Sequence, residues 1–255
     1  MDVTLRAILL TTTLSGVISI SAAALLSFGL LARMAERMLS LSVGIMLATS
    51  LLHALPEALH ANVPPESLFA TLLAGLLSFF LLEKIAILRA GPQPALAMAY
   101  GHHHGHSHGG ERTGAMVLLG DALHNFTDGI MIAAAFLADP SLGILTGLAI
   151  VAHEIPQEVG DFVVLLNAGY SRTRAYLFNL LCSMMALAGG ILGFYTLDKA
   201  SGMVPYVLAF ASAGFLYVAI SHLMPQMQRK TTLAETMPQL GLIAIGVLGV
   251  ALLID

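Results

Sequence analysis

Charge is what this chain has least of. Only 10% of its 255 residues are Asp, Glu, Lys or Arg, whereas 57% are hydrophobic. Soluble domains average about 25% charged residues, so what remains here cannot clothe a water-facing surface. Cysteine is nearly missing as well. The single one, Cys182, lies within an apolar segment, which excludes a disulfide framework and a zinc site built on cysteines. The net charge of −4 says little, because position matters more than the sum. Met1-Asp2-Val3-Thr4-Leu5-Arg6 opens a long apolar run without a small-residue cleavage motif. It reads as the start of a first transmembrane helix, not as a removed signal peptide.

A bilayer core needs roughly 20 apolar residues per helix. Eight such runs are present, at about 7–32, 38–59, 67–88, 113–137, 141–168, 174–196, 204–227 and 236–254. Polar breaks separate them, among them Val63-Pro64-Pro65-Glu66, Asp139-Pro140 and Ser171-Arg172-Thr173-Arg174. The expected fold is therefore an all-α membrane protein of eight transmembrane helices in a single domain, 1–255. Arg33, Arg37, Lys84, Arg89, Arg112, Arg172, Arg174, Arg229 and Lys230 fall on one side of this arrangement, and only Arg6 and Lys199 on the other. The excess of cations marks the cytoplasmic side, so both termini are expected outside. The small-residue pairs Gly143/Gly147 and Gly189/Gly193 have a spacing that allows helices to approach closely. That argues for packing and nothing more.

Against this apolar background two segments stand out, Leu123-His124-Asn125-Phe126-Thr127-Asp128-Gly129 and Ala152-His153-Glu154-Ile155-Pro156-Gln157-Glu158. An ionisable residue in mid-membrane costs several kcal/mol unless it is partnered, which makes each a functional candidate. The fourth and fifth spans are joined by the short Ala138-Asp139-Pro140 link and should form an antiparallel hairpin. His124 lies fifteen residues before Asp139 and His153 fourteen after it, so at ~1.5 Å rise per residue both should reach the same depth. His124 with Asp128, and His153 with Gln157, are i,i+4 pairs that share a helical face. A first cluster of His124, Asp128, His153 and Gln157 is thus expected beside a second of Asn125, Glu154 and Glu158. Imidazole, carboxylate and amide together suit Zn²⁺, with Fe²⁺, Mn²⁺ and Cd²⁺ also compatible. Pro156 has no N–H to give the carbonyl of Ala152, so the fifth helix should bend among its own ligands.

These two segments, followed by Val159-Gly160-Asp161-Phe162, resemble the ZIP (Zrt/Irt-like) family of divalent-metal transporters. The resemblance extends over essentially the whole chain, including the His-rich loop between the third and fourth spans. It implies a metal centre between helices four and five, and transport by motion of the site-bearing helices against the others. Carried over, His124, Asp128, His153 and the residue at 157 form a first site, with Asn125 and Glu154 contributing to a second. Gln157 departs from the His or Glu of many relatives, and the sixth span has only Asn179 and Ser183 where some relatives bring an acid. The cargo implied is a divalent metal, Zn²⁺ above all, moving toward the cytoplasm; no resident cofactor is expected.

Other residues support a path. His53 and Glu57 form a further i,i+4 pair near the outer end of the second span, and His222 is a lone histidine toward the inner end of the seventh. Asp121 precedes Asn125 by one turn and could orient it or conduct protons. His102, His103, His104, His106 and His108, within the cytoplasmic loop 91–112, read as a flexible metal-collecting segment. Two other functions compete. His153-Glu154-Ile155-Pro156-Gln157 is one residue short of the HExxH of zinc proteases, but it lacks the second histidine and carries a proline inside the helix. A metal exporter with six spans and a soluble cytoplasmic domain would need residues that eight spans do not leave. The expected partners are divalent metal ions, the lipid bilayer and a second copy of the chain in a homodimer, with no nucleic acid. The expected location is a bacterial inner (plasma) membrane.

Overall fold

The protein is described from a computed structural model, which covers residues 2–26, 32–61, 63–90, 110–228 and 232–254. The histidines at 102–108, Arg229 and Lys230 lie outside the described residues, as do the side chains of Arg33, Arg89, Arg112 and His222. Every regular element among the described residues is helical. In chain order they are α1 (Val3–Leu26), α2 (Ala32–Ala48), α3 (Leu55–His60), α4 (Pro65–Ala90), α5 (Gly110–Ala138), α6 (Pro140–Asn167), α7 (Arg172–Ser183), α8 (Met185–Leu197), α9 (Val204–Tyr217), α10 (Met224–Met227) and α11 (Leu233–Ile254). π-Helical turns at Thr49–Ala54 and Val218–Leu223 join α2 to α3 and α9 to α10. Each π turn leads into a proline, Pro56 or Pro225, whose missing N–H interrupts the regular ladder. α7 and α8 continue one another across Met184, which keeps helical dihedrals.

Among the described residues, six segments are long and apolar enough to cross a membrane: Val3–Leu25, Arg37–His60, Pro65–Ile85, Arg172–Leu197, Ser201–Ser221 and Leu233–Leu252. α5 and α6 are longer still, at 29 and 28 residues, but their ionisable and amide side chains lower their hydropathy. Those same two helices occupy the middle of the molecule. α5 begins at Gly110, within the segment expected as loop. It lies against α6, α7, α8 and α1, and these helices form one bundle. α2, α4, α9 and α11 form a second, and the seam between the two is made mainly by α2 against α6 and α9 against α5. Ile132, Ala133, Phe136, Ile150, Val43, Met46 and Phe215 from both bundles share one buried core. α4, by contrast, turns Phe69, Leu73, Leu77, Phe80 and Leu81 outward, each more than half exposed.

Two features position α5 and α6. A single residue, Asp139, separates them; its carboxylate accepts from the backbone N–H of Leu142 at 3.0 Å and caps α6, with Pro140 in the first turn. Glycine lets α8 press on the other side of α5. A Cβ at Gly129 would overlap the carbonyl oxygen of Ala186, and one at Gly189 would overlap that of Phe126. Gly193, its expected pair, faces Ala133 on the same helix α5. At Gly129 and Gly189 backbone meets backbone, so neither side can yield by rotating a side chain.

A methyl group at either contact should therefore cost about 1–3 kcal/mol, the usual range for overpacking. Gly129→Ala and Gly189→Ala are expected to lower the melting temperature of the purified protein in detergent. Gly241→Ala, with open space around its Cα, should melt like wild type.

Candidate metal centre

His124 and Asp128 on α5, and His153 and Glu154 on α6, offer four ligand atoms that all lie within 4.8 Å of one another. The histidines meet at the same level, with Nε2 to Nε2 at 3.2 Å and the rings edge to face. That level follows from the one-residue link at Asp139 and the near-equal distances in sequence on either side of it. Asp128 Oδ2 is 3.7 Å from His124 Nε2 and 3.4 Å from His153 Nε2. Glu154 Oε1 is 3.4 Å from the first and 3.8 Å from the second. A tetrahedral zinc ion with bonds near 2.0–2.1 Å needs ligand atoms roughly 3.3 Å apart. These separations are close to the edges of such a tetrahedron.

The tautomer of His153 also suits a ligand. Its Nδ1 stands 3.0 Å from the carbonyl oxygen of Ala149, which can only accept, so Nδ1 carries the hydrogen and Nε2 presents its lone pair. Phe215 of α9 packs edge-on against the same ring, with centroids 5.9 Å apart. Asp128 and Glu154 are fully buried, and among the described residues neither oxygen of either carboxylate has a hydrogen-bond partner. Buried carboxylates left without such bonds are costly, and a cation held among the four groups would satisfy them. The His124 side chain, 25% exposed, keeps the cluster open to one side.

A second group, Asp121, Glu154 and Glu158, has its carboxylates within the same distance of one another. Glu154 belongs to both groups. Asn125 donates its amide to Asp121 at 3.0 Å, which ties the expected orienting residue directly into the acid cluster. Ser183 of α7 donates to Glu158 at 2.9 Å, and Asn179, one turn away, is fully buried with neither amide atom hydrogen-bonded among the described residues. Gln157 is half-buried one turn beyond His153. His53 lies in the first π turn with a buried Nε2 that has no hydrogen-bond partner among the described residues. Glu57, half-buried, faces a cleft of about 270 Å³ lined also by His60, Leu137, Ser201 and Pro205. His60, whose Nδ1 is 3.9 Å from Glu57, was missed in the sequence; its i,i+3 spacing from Glu57 was the available signal. Phe215 carried no signal, because nothing in its own helix marks it.

Known proteins place the chain. The family model described as ZIP Zinc transporter matches residues 97–254. Zinc transporter ZIP13 of Mus musculus is 31% identical over 251 residues, covering 86% of this chain and 69% of the relative. Zinc transporter ZIP10 of Danio rerio is 43% identical over 112 residues, covering 44% of this chain and 13% of the relative; the human ZIP10 matches equally, over 14% of its length. This chain thus aligns with only a small part of the long ZIP10 proteins. With the matched model covering more than half of its length and ZIP13 aligning over most of both chains, the chain belongs to the ZIP zinc transporter family.

Proposed function

We propose that this integral membrane protein carries Zn²⁺ across the bilayer toward the cytoplasm, binding it between α5 and α6. The observation that carries the reading is the convergence of two imidazole nitrogens and two buried carboxylates from neighbouring helices. Two neutral imidazoles with two carboxylates offset the double charge of the ion in formal terms, so a site deep in an apolar bundle need not hold net charge. The nitrogen ligands favour Zn²⁺ over Mg²⁺ and Ca²⁺, which prefer oxygen and retain water. Fe²⁺, Mn²⁺ and Cd²⁺ are compatible with the same donors.

The sharing of Glu154 suggests how the ion advances. One carboxylate oxygen can stay bound while the imidazoles are exchanged for Asp121 and Glu158, so the ion is never bare. Gln157 and Asn125 contribute amide oxygens to the two stations. His53 and Glu57 line the external approach, in an eight-span protein with both termini outside; His222, by its position in the sequence, belongs to the internal end. The segment before α5, with its five histidines at 102–108, collects metal on the cytoplasmic side. The relatives' names as zinc transporters support the cargo. The protease alternative has no support from a family of transporters, and it still lacks the second helix-borne histidine that its chemistry requires.

His124→Ala and Asp128→Ala should each reduce initial zinc uptake by proteoliposomes to background while the protein purifies and melts normally. Near-normal flux in both variants would remove the central claim. Gln157→His places an imidazole one turn from His153 and should tighten Zn²⁺ binding by ~1–2 kcal/mol, in the range of outer-shell effects on metal sites. Equal affinity in wild type, Gln157→His and Gln157→Ala would put residue 157 outside the site. For orientation, single cysteines at Ser171 and Ser201 in a Cys182→Ser background should label from opposite sides, residue 171 from the cytoplasm. Labelling from one side would break the eight-span topology.

A further inference from the structure

Pro156 leaves one backbone group without its ordinary partner. In a regular helix the N–H of residue 156 would donate to the carbonyl of Ala152; proline has none to give. Ala152 lies immediately before His153 and Glu154, so the orphaned carbonyl sits at the centre of the ligand-bearing turn. In the apolar interior such a group costs free energy unless something else donates to it. The donor is Ser42. Its hydroxyl reaches across from α2 to the carbonyl oxygen of Ala152, 110 positions away in sequence. The Ser42 side chain is buried, so water does not compete at its end of the bond.

The same hydroxyl also stands 2.7 Å from the carbonyl of Met38, one turn earlier in its own helix. A serine bonded only in that way would be an ordinary feature of a buried helix. The bond to Ala152 is different, because it crosses the seam between the two bundles and ends on the carbonyl that Pro156 has freed. Serine has a single hydroxyl proton. It can serve Ala152 while α2 and α6 are in contact and return to Met38 when they part, so no donor is stranded either way.

We infer that Ser42 is a positioning residue for the metal centre: its hydroxyl takes the place of the N–H missing at Pro156 and holds the His153–Glu154 turn in register with His124 and Asp128. The inference rests on the metal-site reading above. Ser42 touches neither cluster, and it acts through the backbone at 152. Movement of that backbone displaces both α6 ligands together, away from partners that need separations near roughly 3.3 Å. A loosened seam bond should therefore weaken binding more than it slows turnover.

A double-mutant cycle distinguishes this role from simple packing. In purified protein, Ser42→Ala should weaken equilibrium Zn²⁺ binding about tenfold, the low end of outer-shell effects, and Ser42→Thr, which keeps the hydroxyl, should bind like wild type. In proteoliposomes Ser42→Ala should raise KM by a similar factor and leave kcat unchanged. Pro156→Ala restores the N–H and with it the internal bond to Ala152, so adding Ser42→Ala to that variant should change little. The cycle is also read as melting temperature without metal: the drop caused by Ser42→Ala should be present with Pro156 and absent in the Pro156→Ala background. An equal effect of Ser42→Ala in both backgrounds, by binding or by melting, overturns the inference, as does a Ser42→Ala variant that binds and melts like wild type. Wild-type protein that binds no Zn²⁺ would instead overturn the metal-site reading, leaving the melting cycle to decide the role of Ser42.

Discussion

Two carboxylates buried without a hydrogen-bond partner among the described residues, Asp128 and Glu154, set the terms for the rest of the molecule. An apolar bundle accepts such groups only when opposite charge or strong donors come to them. The two imidazoles stand beside them, and a cation is needed to complete the set. This explains why both histidines must arrive at the same level with nitrogens facing, and why the helices that carry them must be held more firmly than the apolar helices outside. Burying these two carboxylates without a cation is costly, and a cation held among the four groups would offset that cost. In the proposed function the ion offsets that cost, and the overlap of the two groups at Glu154 gives it a route onward.

The scaffold meets that demand with local devices. Asp139 closes the hairpin in one residue and caps α6, which sets the register of His153 against His124. Gly129 and Gly189 remove the side chains that would keep α5 and α8 apart. Phe215 backs the His153 ring from the second bundle. Proline then interrupts the helix that carries half of the candidate ligands, and a serine from α2 donates to the freed carbonyl. Close backbone contact of α5 with α8 on one side and a side-chain hydrogen bond from α2 on the other flank the candidate centre.

The chain shares the ZIP family with proteins named as zinc transporters, and the donor chemistry points the same way without that membership. A 2:2 set of nitrogen and oxygen atoms at tetrahedral separations suits a borderline divalent ion better than hard cations. The exposed leucines and phenylalanines of α4 would be an aggregation hazard in water and are ordinary in lipid.

What the residues in order determined by themselves was everything that depends on spacing along one helix. Hydropathy marked the helical runs, the shared face of His124 and Asp128 followed from the i,i+4 rule, and the common level of the two histidines followed from counting on either side of Asp139. Boundaries were less legible: α1 begins at Val3 and α5 at Gly110, a few residues earlier than composition suggests, because caps and fraying are local events. Only the tertiary structure decided which faces meet. It brought Glu154 close to both histidines as well as to Asp121 and Glu158, set Asn125 on Asp121, and aimed Ser42 at Ala152. A helical wheel gives the direction of a side chain around its own axis but not what stands opposite. Contacts between residues a hundred positions apart are therefore decided by how two bundles pack, not by any motif in either.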